Sequence, residues 1–161
     1  MNDTIFLLSE DHTITAAAEQ SFGRFCQRWK PILPKSCDIQ HIGATAIPGC
    51  LTKGDIDICI RTVVEDFDTA RQQLSTHFQW NSGSVTTPEF ISFHDDYAHP
   101  PLGIQLVVRG SELDIFILFR DKLRADPSLV DRYNLLKRRW QGKSMDGYRS
   151  EKAFFAAEVI S

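Results

Sequence analysis

The sequence has little of what marks secreted, membrane or nucleic-acid-coating proteins. Its four cysteines form no Cys-x-x-Cys pair and have no histidine at zinc-ligand spacing, which argues against a classical zinc site. No stretch reaches the roughly 18 apolar residues of a membrane span, and the first residues lack the basic and apolar regions of a signal peptide. A net charge of -3 argues against a protein that coats nucleic acid. We therefore expect a cytoplasmic protein with reduced thiols and no membrane partner.

The composition is that of a globular chain, with 42% apolar and 24% charged residues among 161. A chain of this length can bury roughly two thirds of its unfolded surface, so it needs neither disulfides nor a structural metal in order to fold. We expect a single domain over residues 1–161.

Positive charge is concentrated in one segment of the chain. Residues 120–143 carry eight lysines and arginines and three aspartates, whereas residues 1–119 carry eight basic and fifteen acidic side chains. The segment is either a solvated basic helix or a surface that faces an anionic ligand. From charge alone we favour the solvated helix.

Hydrophobic periodicity predicts helices and strands that are interspersed along the chain, which indicates an α/β or α+β fold. The predicted strands are Asp38–Ile42, Asp55–Arg61, Phe90–His94 and Ile104–Val108. The predicted helices run from Thr13 or Thr15 to Lys30, over Glu65–His77 and from Ser111 to about Ala125. Another begins at Asp126-Pro127 and carries Tyr133, Leu136 and Trp140, and a last one covers Tyr148–Ile160. We expect Ser111 and Asp114 to form a capping box at the start of the third helix.

Two aspartates alternate with isoleucines in one predicted strand. Because side chains alternate between faces, Ile56, Ile58 and Ile60 face the core. Asp55 and Asp57 share the opposite face with Cys59. The two aspartates stand about 6.6 Å apart at the backbone. Neighbouring carboxylates are costly without a counter-ion, so the pair favours binding of Mg²⁺ or Mn²⁺. The alternative is an acidic pair exposed on an edge strand.

A glycine turn precedes this strand. The loop Gly43–Gly49 follows a predicted strand, and its exposed backbone N–H groups suit phosphate oxygens. Lys53 either reaches a phosphate or is solvated. His41 is interpreted as a structural partner for a loop carbonyl or carboxylate rather than a ligand, and His94 and His99 as residues of a polar loop beside Asp95 and Asp96.

Four motifs, taken in order, resemble those of the GrpB family of the nucleotidyltransferase superfamily. His41-Ile-Gly-Ala-Thr-Ala-Ile-Pro-Gly49 is similar to the family's His-Ile-Gly-Ser-Thr-x-Val-Pro-Gly, and an acid-apolar-acid-apolar run follows at the superfamily's spacing. The segment Leu118–Pro127, the pair Tyr133 and Lys137, and the set Tyr148, Lys152 and Phe155 are similar to later family motifs. The resemblance covers about residues 15–160.

This resemblance implies a small mixed sheet flanked by helices, with extra C-terminal helices. It also implies a metal-dependent protein that transfers a nucleotidyl group from a nucleoside triphosphate to a small-molecule or protein acceptor. Asp55 and Asp57 would hold the metal. The resemblance places the triphosphate at Gly43, Ala44 and Thr45, and the nucleotide or acceptor at Arg120, Lys137, Tyr148 and Lys152. The last two are equally interpreted as a packing tyrosine and a surface lysine.

Two departures from the family pattern favour a second interpretation. Ala44 stands where the family usually has serine, and Thr45 is the candidate substitute. The strand 102–108 has no acid where active superfamily members have a third carboxylate, and where the family tends to have His-x-His. We expect Gln105 to face the site beside Asp57 and to belong to the catalytic residues, where its carbonyl oxygen can ligate weakly although an amide cannot act as a base. The alternative is therefore an inactive nucleotide- or phosphate-binding module, or an accessory to coenzyme A metabolism.

Overall fold

The computed structural model describes residues 12–161, and the first eleven residues, for which we expect no signal peptide, lie outside the described residues. The helices are α1 (His12–Trp29), α2 (Val64–Ser75), α3 (Phe116–Ala125), α4 (Pro127–Trp140) and α5 (Met145–Ile160). The strands are β1 (Asp38–Ile42), β2 (Ile56–Thr62), β3 (Gln79–Trp80), β4 (Phe90–Asp95) and β5 (Leu102–Val108), and a 3₁₀ turn covers Ala44–Ala46.

The described strands form one mixed sheet in the order β1-β2-β5-β4-β3. β2 and β5 are parallel and lie at the centre, while the other neighbours are antiparallel. This arrangement confirms the mixed sheet flanked by helices that the sequence predicts. None of the helices within residues 12–161 is both long enough and apolar enough to cross a bilayer.

One face of the sheet carries the main core. The alternating isoleucines of β2 are fully buried there, together with Ile104 and Leu106 of β5 and side chains of α1 and α2. This packing follows from the period of two along a strand.

The opposite face is covered only in part. Cys59 and Val107 are buried on it beside Phe116 of α3, whereas Asp57 and Gln105 are only partly buried. A further cluster joins α4 and α5 to the loop 47–50. The acidic end of this face is thus left between the sheet, the Gly43 loop and the C-terminal helices.

Several predicted boundaries differ from the structure. The capping box at Ser111 is wrong, because α3 begins at Phe116. Asp114 instead binds Arg61 through two hydrogen bonds of 2.8 and 2.7 Å and accepts the N–H of Gly110. The prediction therefore mistook a long-range ion pair for a local cap.

At the other elements the differences are small. β2 begins at Ile56, so Asp55 precedes the strand, and α5 begins at Met145 because Ser144 caps it. The two-residue β3 is too short to give a period-two pattern and was not predicted. Asp126 caps α4 ahead of Pro127, as the sequence indicates.

Candidate functional site

The Asp57 carboxylate lies between two glycines. A Cβ atom built on Gly43 would stand 2.5 Å from Oδ2 of Asp57, and one built on Gly103 would stand 2.8 Å from Oδ1. Gly43 also has a φ of 77°, which favours glycine. The carboxylate can therefore occupy this position only because residues 43 and 103 have no side chain.

Register explains why these residues meet. Asp57 is paired with Ile42 of β1, directly before Gly43, and with Gly103 of the parallel strand β5. The glycine turn and the acidic strand are thus brought together by the β1–β2 pairing rather than by their distance in sequence.

Asp55 lies beside Asp57, just ahead of β2. Its Oδ2 is 3.2 Å from Nζ of Lys53, and both side chains are partly exposed. Lys53 is therefore placed at the acidic pair, and a contact from it to phosphate remains a prediction.

The surroundings of Asp57 disfavour its negative charge. Burial raises the pKa of Asp57, and the neighbouring Asp55 raises it further, whereas Lys152, Lys53 and Lys137 lower it. Lys152 is the strongest of these positive charges. Within residues 12–161 no hydrogen bond reaches the carboxylate, so its negative charge is available to a cation.

Asp55 and Asp57 supply only part of a coordination shell. No group of three or more histidines, cysteines or acids in the described part of the chain is arranged to hold a metal ion. Mg²⁺ is commonly held by one or two carboxylates together with substrate phosphates and water. The two carboxylates therefore fit an ion that binds together with a phosphorylated ligand.

A buried network holds the glycine loop against the acidic pair. Nε2 of His41 is 2.9 Å from Oγ1 of Thr45, and this hydroxyl donates to the carbonyl oxygen of Asp55 at 3.2 Å. On its other side, Nδ1 of His41 is 3.1 Å from Oε1 of Glu19. Burial lowers the pKa of His41. His41 is thus a structural partner, and the Thr45 hydroxyl is engaged within the protein.

Arg120 is buried against β1. Its Nη1 donates to Oε1 of Gln40 at 2.9 Å and to the carbonyl oxygen of His41 at 3.0 Å, and its Nε donates to Asp121. These contacts tie α3 to the strand that precedes the glycine turn. They account for Arg120 structurally, and its predicted contact with a nucleotide remains a prediction.

Lys137 and Asn134 attach α4 to the loop 49–51. Nζ of Lys137 donates to the carbonyl oxygen of Leu51, lies 3.5 Å from Sγ of Cys50 and sits over the ring of Tyr133. Oδ1 of Asn134 accepts from Leu51 N, and its Nδ2 donates to a loop carbonyl. Burial lowers the pKa of Lys137, so this lysine is an internal group whose charge still acts on Asp57.

Tyr148 and Lys152 differ in their surroundings although they lie one turn apart on α5. Tyr148 is buried in the cluster of α4 and α5 and hydrogen-bonds to Tyr133, and burial raises its pKa. Lys152 is exposed, and its charge lowers the pKa of Asp57. Of the predicted ligand-binding side chains on the C-terminal helices, Lys152 is thus the exposed one whose charge acts on Asp57.

Gln105 lies on the face of Asp57 but not directly beside it. Its register partners are Cys59 and Ser92, whereas Gly103 is the residue opposite Asp57. Gln105 is therefore two residues along β5 from the position opposite Asp57. Its catalytic role remains a prediction.

On β4, His94 is the register partner of Gly103. It is the last residue of the predicted strand Phe90–His94 and was interpreted as part of the polar loop that follows. Nδ1 of His94 is 3.0 Å from Oδ1 of Asp96. The alternation of Phe90, Ser92 and His94 could have indicated its face, but its neighbours depend on strand order.

Sequence comparisons agree with the motifs. The family described as "GrpB protein" matches residues 12–161. A UPF0157 protein of Vibrio cholerae is 35% identical over 146 residues, which cover 90% of this chain and 77% of the relative. A UPF0157 protein of Halalkalibacterium halodurans is 27% identical over 146 residues, covering 86% and 74%.

Solved structures share the fold. The conserved protein GrpB from Enterococcus faecalis superposes with a TM-score of 0.74 at 18% identity and covers 96% of this chain and 97% of its own. The Cid1 poly(U) polymerase bound to MgATP gives 0.57 at 12% identity over 81% of this chain and 43% of its own. The CdnE c-di-GMP synthase from Capnocytophaga granulosa gives 0.50 at 15% identity over 81% and 51%. The fold is thus nucleotidyltransferase-like.

Proposed function

The chain belongs to the GrpB family, and from this premise we propose that it is a metal-dependent nucleotidyltransferase. The proposed reaction moves a nucleotidyl group from a nucleoside triphosphate to a small-molecule or protein acceptor. Its fold is like that of a polymerase and a cyclic-dinucleotide synthase, one of them solved with MgATP. Fold alone does not assign an activity, so the proposal depends on the site.

The observation that carries the proposal is the position of the Asp57 carboxylate. It lies against Gly43 and Gly103, beside Asp55, in surroundings that raise its pKa by burial. A carboxylate that only stabilised the fold would be paired or hydrogen-bonded. Here the cost of this partly buried charge is explained if the charge is used to bind a cation.

Asp55 and Asp57 would hold Mg²⁺ or Mn²⁺. The ion would neutralise charge on the phosphates and polarise the phosphoryl group that is transferred. Gly43, Ala44 and Thr45 would approach the phosphates with their backbone, because a glycine at the turn lets the chain come close to a ligand. Lys152 and Lys53 would add positive charge at the same place.

A second candidate is a module that binds the nucleotide without transferring it. Gly103 occupies the position opposite Asp57, and a side chain there would collide with Oδ1. The described chain thus has no third carboxylate at that position, and Gln105 cannot replace one as a base. This observation favours binding without catalysis, while the Asp55 and Asp57 pair favours the enzyme.

Calorimetry with ATP, GTP, CTP and UTP in the presence of Mg²⁺ tests the site shared by both candidates. We expect one or more nucleotides to bind and the Asp57→Asn variant to lose the metal-dependent part of the affinity. Asp68→Asn, an exposed aspartate on α2, is the matched control and should bind normally. Absence of binding to the wild type, or unchanged binding by Asp57→Asn, would contradict both candidates.

Labelled nucleotides then separate the enzyme from the module. The wild-type chain is incubated with α-labelled nucleotide, Mg²⁺ and a cell extract that contains acceptors. Transfer of the label that depends on Asp57 supports the enzyme. Binding without transfer or pyrophosphate release supports the module.

A further inference from the structure

The outward face of α4 and α5 exposes large apolar side chains. Leu135 is 58% exposed and Phe154 is 81% exposed. They line a groove of about 650 Å³ between the two helices. An exposed apolar patch with a charged border is typical of a protein interface.

Both helices carry the same pattern at this face, with opposite charge. On α4 a charge, two apolar residues and a charge follow at spacings of three, four and seven, and the charges are basic: Arg132, Leu135, Leu136 and Arg139. On α5 the same spacing has acidic charges: Glu151, Phe154, Phe155 and Glu158. We call these eight residues the α4–α5 face. Such spacing places each set on one side of its helix.

The two rows are antiparallel. Nη2 of Arg132 is 2.9 Å from Oε1 of Glu158, and Arg139 contacts Glu151 at the other end. In each row one apolar residue, Leu136 or Phe155, is buried in the core of the chain. The other apolar residue of each row has no such cover within the described chain and is left facing outward.

We propose that the α4–α5 face is the interface of a homodimer with a two-fold axis parallel to the two helices. Such an axis sets α4 of one copy over α5 of the other. The basic row of each copy then meets the acidic row of its partner, and the exposed leucine and phenylalanine pack together in the middle. The four helices form an antiparallel bundle, the arrangement in which neighbouring helix dipoles oppose each other.

The charge pattern selects this axis and this occupant. A two-fold axis across the helices would set α4 over α4, so that arginines would face arginines and glutamates would face glutamates. Any other partner would have to present an acidic row opposite α4 and a basic row opposite α5. A second copy of this chain supplies them by symmetry, which is the requirement of an isologous interface.

Sedimentation equilibrium of the full chain tests the dimer. We expect a species of twice the 18.3 kDa chain mass, and we expect Phe154→Asp to give the monomer. Tyr97→Asp is the matched control, since Tyr97 is 90% exposed outside this face, and it should stay dimeric. Thermal unfolding of each variant shows whether it folds. If the wild-type chain is monomeric at its highest soluble concentration, the proposal is wrong. That result would also be expected if another protein, rather than a second copy of this chain, binds in the groove.

Charge reversal gives a second test that does not depend on one substitution. Arg132→Glu with Arg139→Glu makes both rows acidic, and Glu151→Arg with Glu158→Arg makes both rows basic. We expect each variant alone to be monomeric and an equimolar mixture to form the heterodimer. Two variants that dimerise as well as the wild type, or a mixture that stays monomeric, would show that these rows do not meet.

Discussion

Asp57 holds a charge that the surrounding protein disfavours. Burial is the largest influence on its pKa and outweighs the opposing charge of Lys152. Since the pKa is raised in the folded state, the folded chain binds protons at Asp57 more tightly than the unfolded chain. Its contribution to stability is therefore present at low pH and is lost as the pH rises through the folded-state pKa.

This sign predicts the effect of Asp57→Asn on stability. In the presence of a chelator at neutral pH, we expect the variant to be more stable by about 1 kcal/mol, the ordinary size of a single-residue effect. The gain should be lost as the pH falls below 3.8, the usual aspartate value, because the wild-type carboxyl is then protonated in both states. Urea unfolding of both proteins over this pH range measures it. A variant that is less stable at neutral pH would mean that Asp57 serves the fold rather than a ligand.

Gly103 is the residue that fixes where this carboxylate can lie. In Gly103→Ala the new Cβ would be 2.8 Å from Oδ1 of Asp57, so the carboxylate must move. We expect Mn²⁺ affinity, measured by calorimetry in the presence of nucleotide, to fall at least tenfold, equivalent to about 1.4 kcal/mol.

Gly23→Ala is the control for this substitution. A Cβ at Gly23, in α1, meets nothing within 4 Å, and we expect that variant to bind normally and to be more stable by roughly 0.5–1 kcal/mol. If Gly103→Ala binds Mn²⁺ as tightly as the wild type does, the close approach of Gly103 to the Asp57 carboxylate does not determine metal affinity.

At the scale of residues, the sequence predicts which face of a strand a side chain lies on but not which residues lie beside it on the adjacent strand. The alternation of Ile56, Asp57 and Ile58 identifies which side chains enter the core, because it depends only on the period of a strand. The position opposite Asp57 depends on the register of β5, some forty residues later, and Gly103 and Gln105 are two residues apart on the same face of that strand. His94 was missed for the same reason, since two strand pairings place it.

At the scale of elements, the loop between β1 and β2 acts as a unit. His41 and Thr45 hold its start to the carbonyl oxygen of Asp55, and Asn134 and Lys137 hold its end to α4. The 3₁₀ turn thus has little freedom relative to the acidic pair.

Thr45→Val tests whether this network positions Asp55. Valine keeps the shape but removes the hydroxyl, which leaves His41 and the Asp55 carbonyl without that partner. We expect stability to fall by about 1–3 kcal/mol and nucleotide affinity to fall with it. Thr45→Ser keeps the hydroxyl and should restore most of both quantities. Calorimetry and urea unfolding measure them, and a valine variant with wild-type affinity would show that the network serves the fold alone.

Element boundaries show what local sequence determines. α4 begins where Asp126 and Pro127 predict, because a cap and a proline act within one turn. α3 begins at Phe116 rather than at Ser111, because Asp114 is engaged by Arg61 from β2. A local capping signal is outweighed when a charged partner arrives from a distant strand.

At the scale of the whole molecule, α5 separates two surfaces. The charge of Lys152 lowers the pKa of Asp57, whereas Phe154, two residues and about 200° further around the helix, lines the outer groove. The proposed interface therefore lies on the far side of the helix from the proposed nucleotide site. A dimer built on this face would leave both sites open and facing away from each other.

This geometry predicts that binding and association are independent. We expect Phe154→Asp to be monomeric and to bind nucleotide with a dissociation constant within about twofold of the wild type, a difference of about 0.4 kcal/mol. Lys152→Met should stay dimeric and bind at least several-fold more weakly, because it removes the strongest positive charge acting on Asp57. Calorimetry and sedimentation of the same samples measure both properties. Loss of nucleotide binding on conversion to a folded monomer would show that the two surfaces are coupled through α5, so that the dimer is part of the site.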